Sequence, residues 1–124
     1  MRSLLFILLL VSLSTNAQER IVAQTFEDGS PHVVLYFKGK GEDAYKVKEE
    51  VYFENGNLDY SGEYNKEGQE DGEWTYYHNN GNVMALEYYK DGLEHETFKE
   101  YHTDGQLFRE SVYKKGELKK VTEY

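Results

Sequence analysis

Residues 74–78, WTYYH, put Trp74, Tyr76 and His78 at alternate positions, with Thr75 and Tyr77 between them. Side chains of an extended strand point alternately to its two faces, so this spacing places aromatic rings on both sides of one segment. Stretches such as NVMALEYY and QLFRESVY repeat the strand-favouring composition. Runs so short, closed at each end by glycine, do not make stable helices. The punctuation between them is Asn or Asp followed by Gly, in ENG (54–56), NNG (79–81) and TDG (103–105). That pair tolerates positive φ in tight hairpin turns, so the pattern predicts β-hairpins.

The hairpins recur. Gly56, Gly81 and Gly105 stand 25 and 24 residues apart, preceded in phase by Tyr52, Tyr77 and Tyr101 and followed by Leu58, Val83 and Leu107. Each copy then closes on a second pair, Tyr64 with Gly68, Tyr89 with Gly92, and Tyr113 with Gly116; YNKEG is one residue longer than YKDG and YKKG. Trp74 and Phe98 also correspond. Three copies result, at about 45–68, 70–92 and 94–116. A degenerate copy at about 26–39, FEDGSPHVVLYFKG, keeps Gly29 and Gly39 but carries Pro31 and reads as a cap. Each unit is too small to bury its own core, and stacking of neighbours supplies one.

The phased Y-x-x-x-G-x-(L/V)…Y-x-x-G pattern, with DGEW (71–74) opening a copy, resembles the bacterial variant of the MORN repeat, found in YwqK-type proteins that carry an antitoxin label. The resemblance spans residues 45–118 well and 26–39 weakly. It implies an all-β fold in which MORN-type hairpins stack into one elongated antiparallel sheet. LEHETF (93–98) departs from the family pattern, with Glu96 in place of the glycine and Phe98 in place of the tryptophan.

The chain start reads differently. MRSLLFILLLVSLSTNA has Arg2, an apolar run from Leu4 to Val11, and small residues at Thr15 and Ala17. That order is a cleavable signal peptide over 1–17, with cleavage between Ala17 and Gln18 and a repeat domain over 18–124. The apolar run falls short of the roughly 20 residues that cross a bilayer, and no cysteine follows it to take a lipid. The expected location is periplasmic or secreted, without a lipid anchor.

With Arg2 set aside, 13 basic residues face 23 acidic ones. A surface so negative repels phosphate backbones and anionic headgroups, which argues against nucleic acid or an anionic membrane surface as partner. There is no cysteine, so packing and backbone pairing must hold the domain together. Beyond residue 17 stand 12 Tyr, five Phe and Trp74 against 16 Ile, Leu, Val and Met. Tyrosine suits a half-buried surface, ring packed and hydroxyl wet, which points to a thin sheet with a shallow core.

Chemistry is sparse. His78 and His102 follow the repeat tyrosines, but two strands at about 4.8 Å each hold their backbones about 10 Å apart, against the ~2.1 Å that each zinc–nitrogen bond requires. Ser111, His102 and Asp104 are the residue types of a triad without a strained turn or oxyanion feature around the serine. No cofactor, metal or catalytic residue is expected. What remains is a surface: Tyr and Trp are common binding anchors. The expected role is an exported, non-enzymatic interaction module or scaffold in the cell envelope, with an unidentified protein partner contacting Trp74, Tyr76 and Phe98. In that expectation the Tyr77 and Tyr101 row packs, while the Trp74 and Phe98 row stays partly open. The alternatives are an immunity-like protein that neutralises an exported toxin, a carbohydrate-binding protein, or a small hydrolase.

Overall fold

The computed structural model describes residues 18–124; segment 1–17, where a signal peptide is expected, lies outside them. The short alternating runs form strands β1 (Glu19–Thr25), β2 (Pro31–Lys38), β3 (Tyr45–Tyr52), β4 (Leu58–Tyr64), β5 (Glu70–Tyr77), β6 (Val83–Lys90), β7 (Leu93–Glu94), β8 (Glu96–Tyr101), β9 (Leu107–Lys114) and β10 (Glu117–Glu123). They pair antiparallel in chain order as one open sheet, with β7 against β6 beside β8. The fold is the all-β, single-sheet stack of hairpins that the repeat pattern implies. A single 3₁₀ turn, Gly41–Asp43, interrupts the connection from β2 to β3.

Two kinds of turn alternate along the sheet. At one end, five-residue units close with the first N–H donating to the fifth carbonyl, as in Phe53 to Asn57, His78 to Asn82 and His102 to Gln106. The glycine of each is left-handed, with φ of 88° at Gly56 and 93° at Gly81. This is the three-residue hairpin loop with a glycine bulge. The Asn or Asp before the glycine does not take positive φ, contrary to the sequence expectation. Its carboxamide or carboxylate oxygen instead accepts the N–H two residues on: Asn57 to Asn55, Asn82 to Asn80 and Gln106 to Asp104. An Asx turn explains the residue type without backbone strain.

True two-residue turns lie at the opposite end. Asp91 and Gly92 have φ of 49° and 82°, and Lys115 and Gly116 have 51° and 79°, the pair of left-handed residues that a type I′ turn requires. The extra residue of YNKEG turns that corner into a three-residue loop, with Asn65 N–H donating to the Gln69 carbonyl. The degenerate first copy keeps the three-residue design, with Phe26 N–H on the Ser30 carbonyl. Pro31 opens β2, the strand position that tolerates a missing N–H.

The repeat tyrosine and aliphatic residue face each other across each hairpin: Tyr52 opposite Leu58, Tyr77 opposite Val83, and Tyr101 opposite Leu107. That answers why they flank the glycine at fixed distances. The irregular third copy also finds its geometry. Glu96 takes φ of 62° at the place where Gly72 has 95°, so the departure from DGEW keeps the bulge and bears its backbone cost on a non-glycine residue. Gly41, outside the repeat phase, is itself left-handed at φ 58°, so lying out of phase does not make it a conformationally neutral glycine.

Candidate interaction surface

Pair partners in an antiparallel ladder share a face, and the register sorts the side chains into two sets. One face carries Tyr60, Tyr76 and Ala85 in line, and beside them Gly62, Trp74 and Glu87. The other carries Ser61, Thr75 and Leu86. On the first face, rings follow one another in an unbroken row across the five neighbouring strands β4, β5, β6, β8 and β9. Centroids lie 5.7 Å apart for Tyr60–Tyr76, 5.3 Å for Tyr64–Trp74, 6.3 Å for Trp74–Tyr89, 5.4 Å for Tyr89–Phe98 and 4.6 Å for Phe98–Tyr113. The second tyrosine of every repeat, Tyr64, Tyr89 and Tyr113, belongs to this row.

Trp74 is the centre of the row and is not open to a partner. It is 4% exposed, its indole lying over Gly62, where a Cβ would come within 2.1 Å of the ring. Its N–H donates to the Glu63 carbonyl at 3.0 Å. The expectation of an open Trp74 is therefore corrected. Gly62 leaves a backbone recess in β4, and Tyr60, Tyr64 and Tyr89 close around the indole that fills it. Alternation along β5 does not reveal this, because the recess belongs to the neighbouring strand. Phe98 is half-buried between Tyr89 and Tyr113, and Tyr77 and Tyr101 are likewise half-buried rather than a sealed core.

Tyr76 is the predicted residue that keeps a usable handle. Its ring is half-buried, and among the described residues no group accepts from its hydroxyl. Its neighbours in the row are satisfied: Tyr60 and Tyr64 donate to Glu49 Oε1 at 3.2 and 3.0 Å, and Tyr89 donates to Glu87 Oε2 at 2.8 Å. Burial, followed by the charges of Glu87 and Glu70, pushes the Tyr76 hydroxyl up to about 12. Burial and Glu49 push Tyr60 up to about 12, and burial likewise raises Tyr64 and Tyr89.

Carboxylates set into this aromatic face were missed by sequence reasoning, which took Asp and Glu as a solvated surface. Glu87 is half-buried, and burial above all raises its carboxyl. The Tyr89 hydrogen bond opposes that shift, and the charges of Glu70, Glu100 and Glu94 add to it. The only signal for it in sequence is an acidic residue on the inward phase of β6, between Ala85 and Tyr89. Toward the ends of the face, cations meet such carboxylates. Lys46 Nζ lies 3.1 Å from Glu49 Oε2 and 4.0 Å above the Tyr64 ring. Arg109 makes two hydrogen bonds to Glu100, at 2.5 and 2.7 Å.

The opposite face is more mixed. Tyr36 and Tyr52 donate to Glu50, whose carboxyl they and Lys48 hold below its usual range against the opposing effect of burial. A shallow cleft is lined by Asn82, Val83, Leu86, Tyr101 and Gly105. The histidines pack or bond locally: His102 stacks on Phe108 at 4.5 Å, and His78 Nε2–H donates to the Tyr101 carbonyl at 3.0 Å. Among the described residues no three His, Asp or Glu side chains converge on a metal-sized point.

The MORN repeat variant matches the chain at residues 47–66, 70–91 and 97–115, one match to each clear copy. Neither a curated protein nor a solved structure matches it.

Proposed function

This chain carries three MORN repeat variants, modules that often serve protein interaction or membrane binding, and from that premise we propose that it is an exported, non-enzymatic protein-interaction module of the cell envelope. The observation that carries the reading is the aromatic face, with Tyr76 and half-buried carboxylates presented along a sheet over which the described residues place no second layer. Rigid rings offer contact area at little entropic cost, and a repeat sheet aligns them over a long strip. An open sheet provides little of the enclosure that acid–base catalysis needs. Export rests on the n-region, apolar run and small-residue order of residues 1–17, which would place the mature start at Gln18. An immunity-like role against a basic exported toxin is the alternative, favoured by the acidic excess, since opposite charge speeds encounter.

Photo-crosslinking in the native envelope tests the reading. A photoreactive phenylalanine analogue at Tyr76 is expected to capture a discrete partner, and the same analogue at Lys99 on the other face to capture none. Capture from Lys99 alone would move the surface to the Tyr101 side. Mass spectrometry of the same preparation should find an N-terminus at Gln18, and intact Met1 would remove export.

A further inference from the structure

Two of the stacked loops carry a reactive step as well as a turn. Asn55–Gly56 and Asn80–Gly81 are the Asn-Gly steps of the chain, and both are exposed. A glycine after asparagine leaves its nitrogen unhindered by a side chain, so the backbone can close on the neighbouring carboxamide. In the fold both nitrogens are held alike. Gly81 N–H donates to the His78 carbonyl at 2.9 Å, and Gly56 N–H to the Phe53 carbonyl at 3.0 Å. The carboxamides are held unequally. Asn55 Nδ2 donates to two oxygens of Asn79, the carbonyl at 3.0 Å and Oδ1 at 2.7 Å. Among the described residues Asn80 Nδ2 donates to the Thr103 carbonyl alone, at 2.8 Å, because the residue in register with Asn79 is a threonine whose hydroxyl gives no second acceptor.

We propose that Asn80 is a site of spontaneous deamidation in the folded protein, and that Asn55 is the protected member of the pair. The Gly81 nitrogen gives its proton to solvent base and attacks Asn80 Cγ. The new N–Cγ bond closes a succinimide, and the Cγ–Nδ2 bond breaks to release ammonia. Water then opens the ring, leaving aspartate when the N–Cγ bond is cut and isoaspartate when the main-chain carbonyl is cut instead. Water enters and ammonia leaves, with no change of oxidation state. Ring closure requires Gly81 to leave the His78 carbonyl and Asn80 to swing away from Thr103, so the rate follows local opening of the loop. One acceptor fewer makes Asn80 the freer of the two. The aspartate product is chemistry that the sheet already holds. Asp104 precedes Gly105 in the third loop and makes the same Asx turn, its Oδ1 accepting the Gln106 N–H at 3.0 Å. Aspartate at 80 nevertheless loses the amide bond to Thr103, and isoaspartate also lengthens the backbone of a tight loop. Either product loosens the third clear hairpin from the second.

The test is peptide mapping by mass spectrometry of the protein, purified from its own cell and held in mildly alkaline buffer, with enzymatic methylation of isoaspartate as a second readout. Deamidation at Asn80 is expected to outpace that at Asn55 by about two- to tenfold, the factor that one additional hydrogen bond of ordinary worth makes. In urea both steps should accelerate and their rates converge. Asn79→Ala removes the Oδ1 acceptor and keeps the carbonyl, so Asn55 should quicken to about the rate of Asn80. A thermal melt checks that this variant folds, and the ratio in the unaltered protein decides the assignment without it. Equal rates in the folded protein, or Asn55 ahead, would overturn the assignment, as would an Asn80 that stays intact while the urea-unfolded chain reacts. An unchanged Asn55 in folded Asn79→Ala would overturn the control by amide hydrogen bonds. The deamidated fraction, separated by anion exchange, should show faster hydrogen exchange in β8 and β9 than the unmodified protein. Unchanged exchange there would overturn the loosening of the third hairpin.

Discussion

Trp74 and Gly62 form one structural unit spread over two strands, and substitution of either member should show it. Trp74→Ala empties the recess and is expected to destabilise the domain by about 3–5 kcal/mol, the usual cost of truncating a buried large aromatic. Tyr77→Ala, at a half-buried position, should cost clearly less, and urea titration of the two variants checks the order. The same face has a signature in alkali. Tyr60 and Tyr76 keep their protons to about 12 in the fold and release them near 10 when unfolded. Between those values the unfolded chain binds fewer protons, so stability falls as pH rises. Their contribution is complete below pH 10 and should be lost through pH 12. Tyrosinate absorbance and circular dichroism should change together across that range; ionisation of all tyrosines near 10 in a folded protein would refute the packing.

Hairpin loops become a stack through asparagine. Asn55 and Asn57 donate their side-chain amides to the Asn79 carbonyl of the next loop at 3.0 Å each, and Asn80 and Asn82 donate to the Thr103 carbonyl at 2.8 and 2.9 Å. In the last of these loops the corresponding residue is Asp104, which retains the oxygen for its own Asx turn and has no amide to offer onward. Asn80→Asp separates the two jobs, since it keeps the acceptor for the Asn82 N–H and deletes the donor to Thr103. A loss of about 0.5–1.5 kcal/mol is expected, the net worth of one such bond. Asp104→Asn, with no further loop of this kind among the described residues to reach, should be close to neutral. Chemical denaturation of both variants measures the difference, and equal losses would reduce the ladder to incidental contacts.

Across the whole molecule, stability should be graded. The aromatic row covers β4 to β9, whereas β10 is an edge strand with Leu118 53% and Val121 46% exposed. Lys119 and Lys120 on that strand discourage pairing with another sheet. Each hairpin contacts only its neighbours, as in other linear repeats, so local opening should begin where packing is thinnest. Hydrogen exchange is expected to show strongest protection in β5 and β6 around Trp74 and weakest in β10. Uniform protection would mean that the sheet opens as one unit.

The repeat phase and the turn chemistry were legible in the sequence because they are local. A glycine at fixed spacing makes a turn wherever it stands, and alternation then assigns strands without knowledge of any neighbour. Stacking in chain order follows from turns too short for any other connection. The same reading mistook the role of Asn55, Asn80 and Asp104, where the side chain rather than the backbone makes the turn. It also left Trp74 open. Burial on a single sheet depends on which residue the next strand places alongside, and only the tertiary register set the indole over Gly62 between tyrosines from both neighbouring hairpins. The register likewise set Glu87 beside Trp74, an acid that in sequence looks like any other on a wet surface. A single-layer sheet has no inside that hydrophobicity alone can identify. What counts as its core, and which carboxylates border it, is decided by cross-strand partners such as Gly62 and Glu87, 12 and 13 residues from Trp74.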